Sequence, residues 1–301
     1  MRELFREEKG SVIIILALCM SVFVGLAALV TDAGLVYLTR DKMQNAVDAA
    51  ALAGAQDLQI SSAAALEKAQ NYGVSNGLDL SEITIECVQS EKFVKVSATR
   101  NINFTFAKII GHDSGVVTAV AKARSGPIKG LKGAAPLGIS LDTWQIGQPV
   151  TLKVGSHGAE NGWFSGLALG TEGADIYEAN LTQGYNQWLK KGDIINIQTG
   201  NISNPTNRAV NFRVAECHHI PTCTPTSYDP DCERLIKIPV ITNRLNNQVE
   251  IVGFAYFLVN GVTGQGVDCY ISGQFVRGET SGEIDENSSS DYGLYGVKLV
   301  Q

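Results

Sequence analysis

Residues 11–30 read SVIIILALCMSVFVGLAALV, an apolar run without a charge on any face. About 20 such residues are what a helix needs to cross a hydrocarbon core. A core helix of a soluble protein would carry one apolar stripe rather than an apolar circumference. A cleaved secretory signal would be shorter and would end at a small-residue site. The pattern therefore predicts a transmembrane helix over 11–30. Helix formers then continue through LVYLTRDKMQNAVDAAALAGAQDL without a Pro or a turn dipeptide, so the span should extend outward as one long rod. Small side chains over 46–55 suit that rod to close packing against another element.

After the rod, Ser61 or Ser62 can cap a short helix, AAALEKAQNY, ended by Gly73. Apolar positions in strand rhythm follow at 83–88 and 93–98 around an SEK turn and continue through NINFTF. AKIIG reads as a brief helical turn and GVVTAVAKAR as a closing strand. The Gly and Pro residues of SGPIKGLKGAAPLG predict a linker. From about residue 137 strands dominate, with QPVTLKVG, DIINIQTG, AVNFRVAE, LIKIPVIT, VEIVGFAYFLV and VDCYISGQFV the clearest, interrupted by one helix at about 176–190. The acidic, Ser-rich GEIDENSSSD reads as a mobile loop before the last strand, GVKLV. The expected fold class is α+β: a single N-terminal transmembrane helix extended into a long helix, a small α+β unit, then a mainly β, sandwich- or barrel-like domain. The corresponding boundaries are a cytoplasmic tip 1–10, the span 11–30, an extended helix with a small α+β unit 31–125, a linker 126–136 and an extracytoplasmic β-rich domain 137–301.

At 301 residues, with 31 glycines and few aromatics, the chain suits many turns and short strands better than a helical bundle. A net charge of −6 without a long basic run gives nothing to displace counterions from phosphates, so nucleic acid is set aside as a partner. Arg2, Arg6 and Lys9 precede the span, while Arg40 and Lys42 lie well beyond it, which orients the N-terminus to the cytoplasm. Lys122, Arg124, Lys129 and Lys132 make the linker region mildly basic, as an ordinary solvated linker or as a contact for anionic lipid or cell-wall polymer.

Cys87, Cys217, Cys223, Cys232 and Cys269 all follow the span, where disulfides can form. Cys19 within the span reads as a small apolar residue. Cys217, Cys223, Cys232 and Cys269 are the disulfide candidates, with three connectivities open and Cys87 left over. Zinc on Cys217, His218, His219 and Cys223 is the alternative, although these spacings match no short knuckle pattern; free thiols are the third. No nucleophile elbow, zinc-protease helix or phosphate loop is present. Asp175, Glu178, Asp193 and Glu216 offer scattered carboxylates better read as solvated surface. Trp163 and Phe164 in NGWFSGLALG offer a shallow recognition face, whereas GFAYFLV reads as core because both strand faces are apolar.

EKGSVIIILALCMSVFVGLAALVTDAGLVYLTRDKMQNAVDAAALAGAQDL resembles the N-terminal region of TadE/TadG-like proteins of the Flp (tight adherence) pilus machinery. The resemblance rests on the Lys-Gly before the span, the DAGLVY block and the QNAVDAAALAGA run. NGWFSGLALGTEGADIYEANLTQGY and VEIVGFAYFLVNGV look similar to the C-terminal domain of related Gram-positive proteins. Pilins of this class are cut after a Gly by a prepilin peptidase and carry a Glu at the fifth residue beyond it. Here Gly10 is present but Ile15 stands at the fifth position, which draws the chain toward the TadG-like, uncleaved branch. The resemblance implies a membrane-anchored, non-enzymatic pilus component, a minor pilin-like subunit or an assembly or anchoring factor, without a cofactor. Its partners would be membrane lipid through 11–30 and other pilus or pilus-assembly proteins. A cell-surface binding module that displays a ligand- or polymer-binding β domain on the same anchor is the alternative.

Overall fold

The chain divides into two units, Met1–Arg124 with Leu299–Gln301, and Ser125–Lys298. The computed structural model describes residues 8–140, 145–153, 164–200, 202–243, 247–286, 288 and 290–300.

In the first unit α1 (Glu8–Asp57) is one unbroken helix of 50 residues. Its apolar stretch stands free: large side chains from Val12, 63% exposed, to Val30, 70% exposed, are exposed all round the axis. From Met43 onward the character changes, and Met43, Ala46, Val47, Ala50, Ala51 and Ala55 are buried. α2 (Ser62–Ser75) starts where Ser61 caps it, its side chain accepting the Ala64 N–H at 3.0 Å. It runs past the expected stop at Gly73, because that glycine does not terminate the helix. A Cβ there would lie 2.9 Å from Ile83 Cδ1, so the bare backbone gives the strand side chain room.

Ala46, Ala50 and Gly54 on α1, and Ala65, Ala69 and Gly73 on α2, recur every four residues and so form one stripe on each helix. The two backbones approach along these stripes: a Cβ on Gly54 would sit 2.9 Å from both the Ala65 carbonyl and Ala69 Cβ. The strands β1 (Ile83–Val88), β2 (Phe93–Asn103) and the first half of β3 (Ser114–Leu131) form an antiparallel meander, with Ile83 opposite Ala98 and Phe93 opposite Arg124. Val94, Val96 and Ala98 alternate with more exposed neighbours, and their buried face lies on α1, where Val94 reaches Gly54.

The second unit is built on a sheet ordered β5 (Pro149–Lys153), β11 (Tyr270–Val276), β10 (Gln248–Thr263), β9 (Leu235–Asn243), β4 (Leu137–Ser140) and β6 (Phe164–Gly166), with β8 (Ile194–Asn196) pairing the start of β10. α3 (Ala174–Gln183) and α4 (Ser203–Ala215) share a core with one face, where Tyr177, Leu181 and Val210 join Ile238 and Phe257. The second half of β3, β7 (Leu189–Lys190), β13 (Glu283–Ile284) and β14 (Leu294–Val300) supply Ile128, Leu131, Leu189, Ile284 and Leu294 to a second core on the other face. β12 (Gly278–Glu279) pairs β14 in parallel. The chain is thus α+β, with a mainly β second unit.

β10 is buried on both faces, as GFAYFLV implies. Val249 and Ile251 share a core with Phe254, Tyr256 and Leu258, so odd positions give way to even ones. The β-bulge between Ile251 and Gly253 inserts the extra residue that changes the parity.

Four expectations need correction. The segment read as a linker over 126–136 is strand as far as Leu131. Its glycines admit neighbouring strands instead of breaking the chain: a Cβ on Gly126 would lie 3.2 Å from Asp285 O, and one on Gly130 would lie 3.3 Å from Lys190 Cγ. AVNFRVAE is the body of helix α4, not a strand, because its buried positions, Thr206, Ala209, Val210 and Arg213, follow a helical period. The helix expected at 176–190 ends at Gln183, where Gly184 at φ 83° stops it, and Leu189–Lys190 is strand. Within the loop expected at 282–291, Glu283–Ile284 also pairs with β3.

Gly54→Val should lower the stability of the first unit by about 1–3 kcal/mol through overpacking. Gly25→Val, whose Cβ would meet nothing within 4 Å, should leave it unchanged. Thermal unfolding of the two full-length variants checks the contrast.

Candidate functional site

Two places concentrate the chemistry, one in each unit. The first is where α1 leaves its apolar stretch. Asp32, 4% exposed, accepts backbone N–H groups from Thr105 at 2.9 Å, Phe106 at 3.0 Å and Ala107 at 2.6 Å. These amides open the single helical turn Ala107–Ile110, whose first donors have no partner inside the turn. A carboxylate on α1 therefore caps a turn about 75 residues further along the chain. Loss of water pushes the Asp32 carboxyl up, but the three amide donors together outweigh it and hold it below its ordinary value. Farther along, Gln44 donates to Val120 O at 3.0 Å and to Asp48 Oδ1 at 2.9 Å. Lys68 pairs with Asp57 at 2.8 Å.

Asp32 was visible in the sequence only as part of the DAGLVY block. The available signal was an aspartate, a poor helix former, inside a helix-forming run directly after twenty apolar residues. The carboxylate's folded pKa lies below its ordinary 3.8, so its contribution to docking is complete above that value and is lost as pH falls through the depressed one.

The second place is the loop between α4 and β9. It brings together Cys217, His219, Cys223 and Cys232, whose ligand atoms all lie within 4.8 Å of one another. The Cys217 and Cys232 sulfurs are 3.5 Å apart, beyond the length of a disulfide, and Cys217 Sγ is 3.9 Å from His219 Nδ1. Burial pushes the Cys217 thiol up, but the donors around it, His219 first, reverse this and bring it to about 6. Burial pushes Cys232 up to about 12. His219 is held above its ordinary value mainly by its hydrogen bond to Cys217.

Two residues grouped with this loop by sequence stand apart from it. His218 faces Glu216 at 3.7 Å and is largely exposed, so Cys232 takes the place given to it in the zinc alternative. Cys269 is buried beside Asn207, its sulfur 3.5 Å from Asn207 Nδ2, and is not in the cluster. The reason is local: Cys269 precedes β11 and packs against α4, while the other three cysteines follow α4.

The scattered carboxylates have separate engagements. Glu178 pairs with Arg208, Asp193 accepts the Lys190 N–H at 2.7 Å, and Glu216 faces His218; Asp175 sits in the first turn of α3. Trp163 lies outside the described residues, and Phe164 begins β6. Gly10 lies within α1, and Ile15 stands 58% exposed on it. Lys122 lies 3.7 Å over the Phe93 ring, and Lys132 lies 6.0 Å from that of Trp188. A groove of about 540 Å³ lined by Lys190, Lys191, Glu283 and Asp285 holds charges that pair within it, at 2.9 and 3.0 Å.

Asp32→Asn should speed hydrogen exchange at the amides of Thr105, Phe106 and Ala107 at neutral pH. In the unaltered chain the same amides should lose protection only below about pH 4, the carboxylate range. Exchange measured across pH on both proteins checks this.

A family model described as Flp pilus-assembly TadE/G-like matches residues 10–57. No curated protein and no solved structure matches the chain. The matched stretch is nearly the whole of α1, from the residue before the apolar run to the end of the docked half, so the likeness to TadE/G-like Flp pilus-assembly proteins is carried by this helix.

Proposed function

We propose that this chain is a membrane-anchored, non-enzymatic component of a Tad/Flp-like pilus system, working as an anchoring or assembly factor through protein–protein contacts. The observation that carries the reading is the coincidence of the family match with one helix of two characters. The window of α1 with a mean hydropathy of 2.9 is not buried at all, while the end of the same helix is packed under α2 and β2. Such a helix holds a folded unit at a fixed distance from a lipid surface. The basic residues before the span orient its N-terminus to the cytoplasm and place 137–301 outside.

The choice of an anchor over a polymerising subunit rests on Ile15. A carboxylate in a span is costly and is retained when a partner neutralises it; here residues 11–30 contain none. Lipid and neighbouring helices are the partners this surface fits.

Shearing cells that carry a C-terminal tag tests the assignment. Full-length protein should stay with the membrane fraction. Recovery in released filaments with an N-terminus at Ser11 would make it a processed subunit instead.

A further inference from the structure

The loop from Glu216 to Glu233 has almost no interior of its own. Within it Cys223 and Cys232 are the buried residues, at 4% and 3% exposure, while Ile220 points outward at 97%. A segment this long without an apolar core needs a covalent or metal staple to hold one shape. We propose that the staple is a structural zinc ion bound by Cys217, His219, Cys223 and Cys232.

Two of the separations within the cluster are close to those of a zinc tetrahedron. Zinc bonds of about 2.3 Å to sulfur and about 2.0–2.1 Å to nitrogen set ligand atoms roughly 3.5–3.8 Å apart. The separations of 3.5 Å between Cys217 and Cys232 and 3.9 Å from Cys217 to His219 Nδ1 fall at the lower end and just above the upper end of that range, and all four ligand atoms lie within 4.8 Å of one another. A disulfide would join two of the three sulfurs and leave a thiol and an imidazole beside it without a role. Zinc uses all four groups, and their softness suits it.

The surroundings are those of a metal site as well. His219 turns Nδ1 to the sulfurs and Nε2 to Asp229 Oδ2, 3.6 Å away, the carboxylate–histidine arrangement that orients a ligating ring. The Asp229 backbone N–H donates to Cys223 Sγ at 3.4 Å, and its Oδ1 accepts the Asp231 N–H at 2.8 Å, fixing the carboxylate. Three thiolates and one Zn²⁺ leave a net charge of −1. The buried Arg234 guanidinium, which donates to Cys223 O at 3.1 Å, supplies the compensating positive charge. With four protein ligands, two of them buried, the ion has no open position, so its role is to fold the loop and not to catalyse. Binding releases the thiol protons, and the loop gains its order from the metal.

The test is metal analysis and zinc-edge X-ray absorption on full-length protein extracted from membranes without reductant or chelator. The expected result is about one zinc per chain with three sulfur neighbours and one nitrogen. Cys232→Ser and His219→Ala should each lower zinc retention against a competing chelator by about tenfold or more, while His218→Ala, one residue away but outside the cluster, should retain it. Should a variant fail to fold, the absorption spectrum of the unaltered protein decides. Absence of zinc, a disulfide between any two of the three cysteines in non-reducing peptide maps, or zinc retention indifferent to both ligand substitutions would overturn the proposal.

Discussion

Two residues after the apolar run of α1 ends, Asp32 takes three backbone amides from the segment that follows β2. Because α1 is continuous, each residue is fixed about 100° and 1.5 Å from the last. Pinning one residue near the membrane boundary therefore sets both the rotation of the span and the height of the first unit above it. The carboxylate cannot simply be replaced by an apolar side chain, since the opening amides of the Ala107–Ile110 turn would then lose their acceptor.

The same helix meets two environments with two side-chain vocabularies. In the exposed half, bulky Val, Ile, Leu and Phe cover every face, as hydrocarbon allows. In the docked half, Ala46, Ala50 and Gly54 shrink the helix to its backbone so that α2 can lie directly on it. The second unit solves a different problem. Its central strand, β10, carries apolar side chains on both faces and uses a bulge to switch parity partway along. The loop after α4 adds little to either core beyond its cysteines, which is why its stability needs a separate source.

Much of this was legible in the chain. The apolar circumference of 11–30, the uninterrupted helix formers behind it and the Ser61 cap all express local rules, and the structure follows them. What failed did so where local pattern and tertiary demand diverge. In α4 the helical period is written in Thr206, Ala209 and Arg213 as much as in Val210, so an apolar count saw only the alternation of NFRV. Arg213 is buried there because Leu181 O and Glu233 O take its guanidinium, a partnership no sequence spacing announces. In 126–131 glycine marked close approach of strands, which looks in sequence like a break. The four groups of the 217–232 loop stand two, four and nine residues apart, and only the fold closes them into one cluster and leaves Cys269 against α4.

The central claim is that one rigid helix joins the membrane span to the first unit. Hydrogen exchange on the full-length protein in lipid nanodiscs tests it most directly. The account predicts slow exchange without interruption from residue 12 to residue 57, including the exposed stretch 33–42 between the Asp32 pin and the alanine stripe. Fast exchange confined to 33–42 would show a hinge there and contradict it.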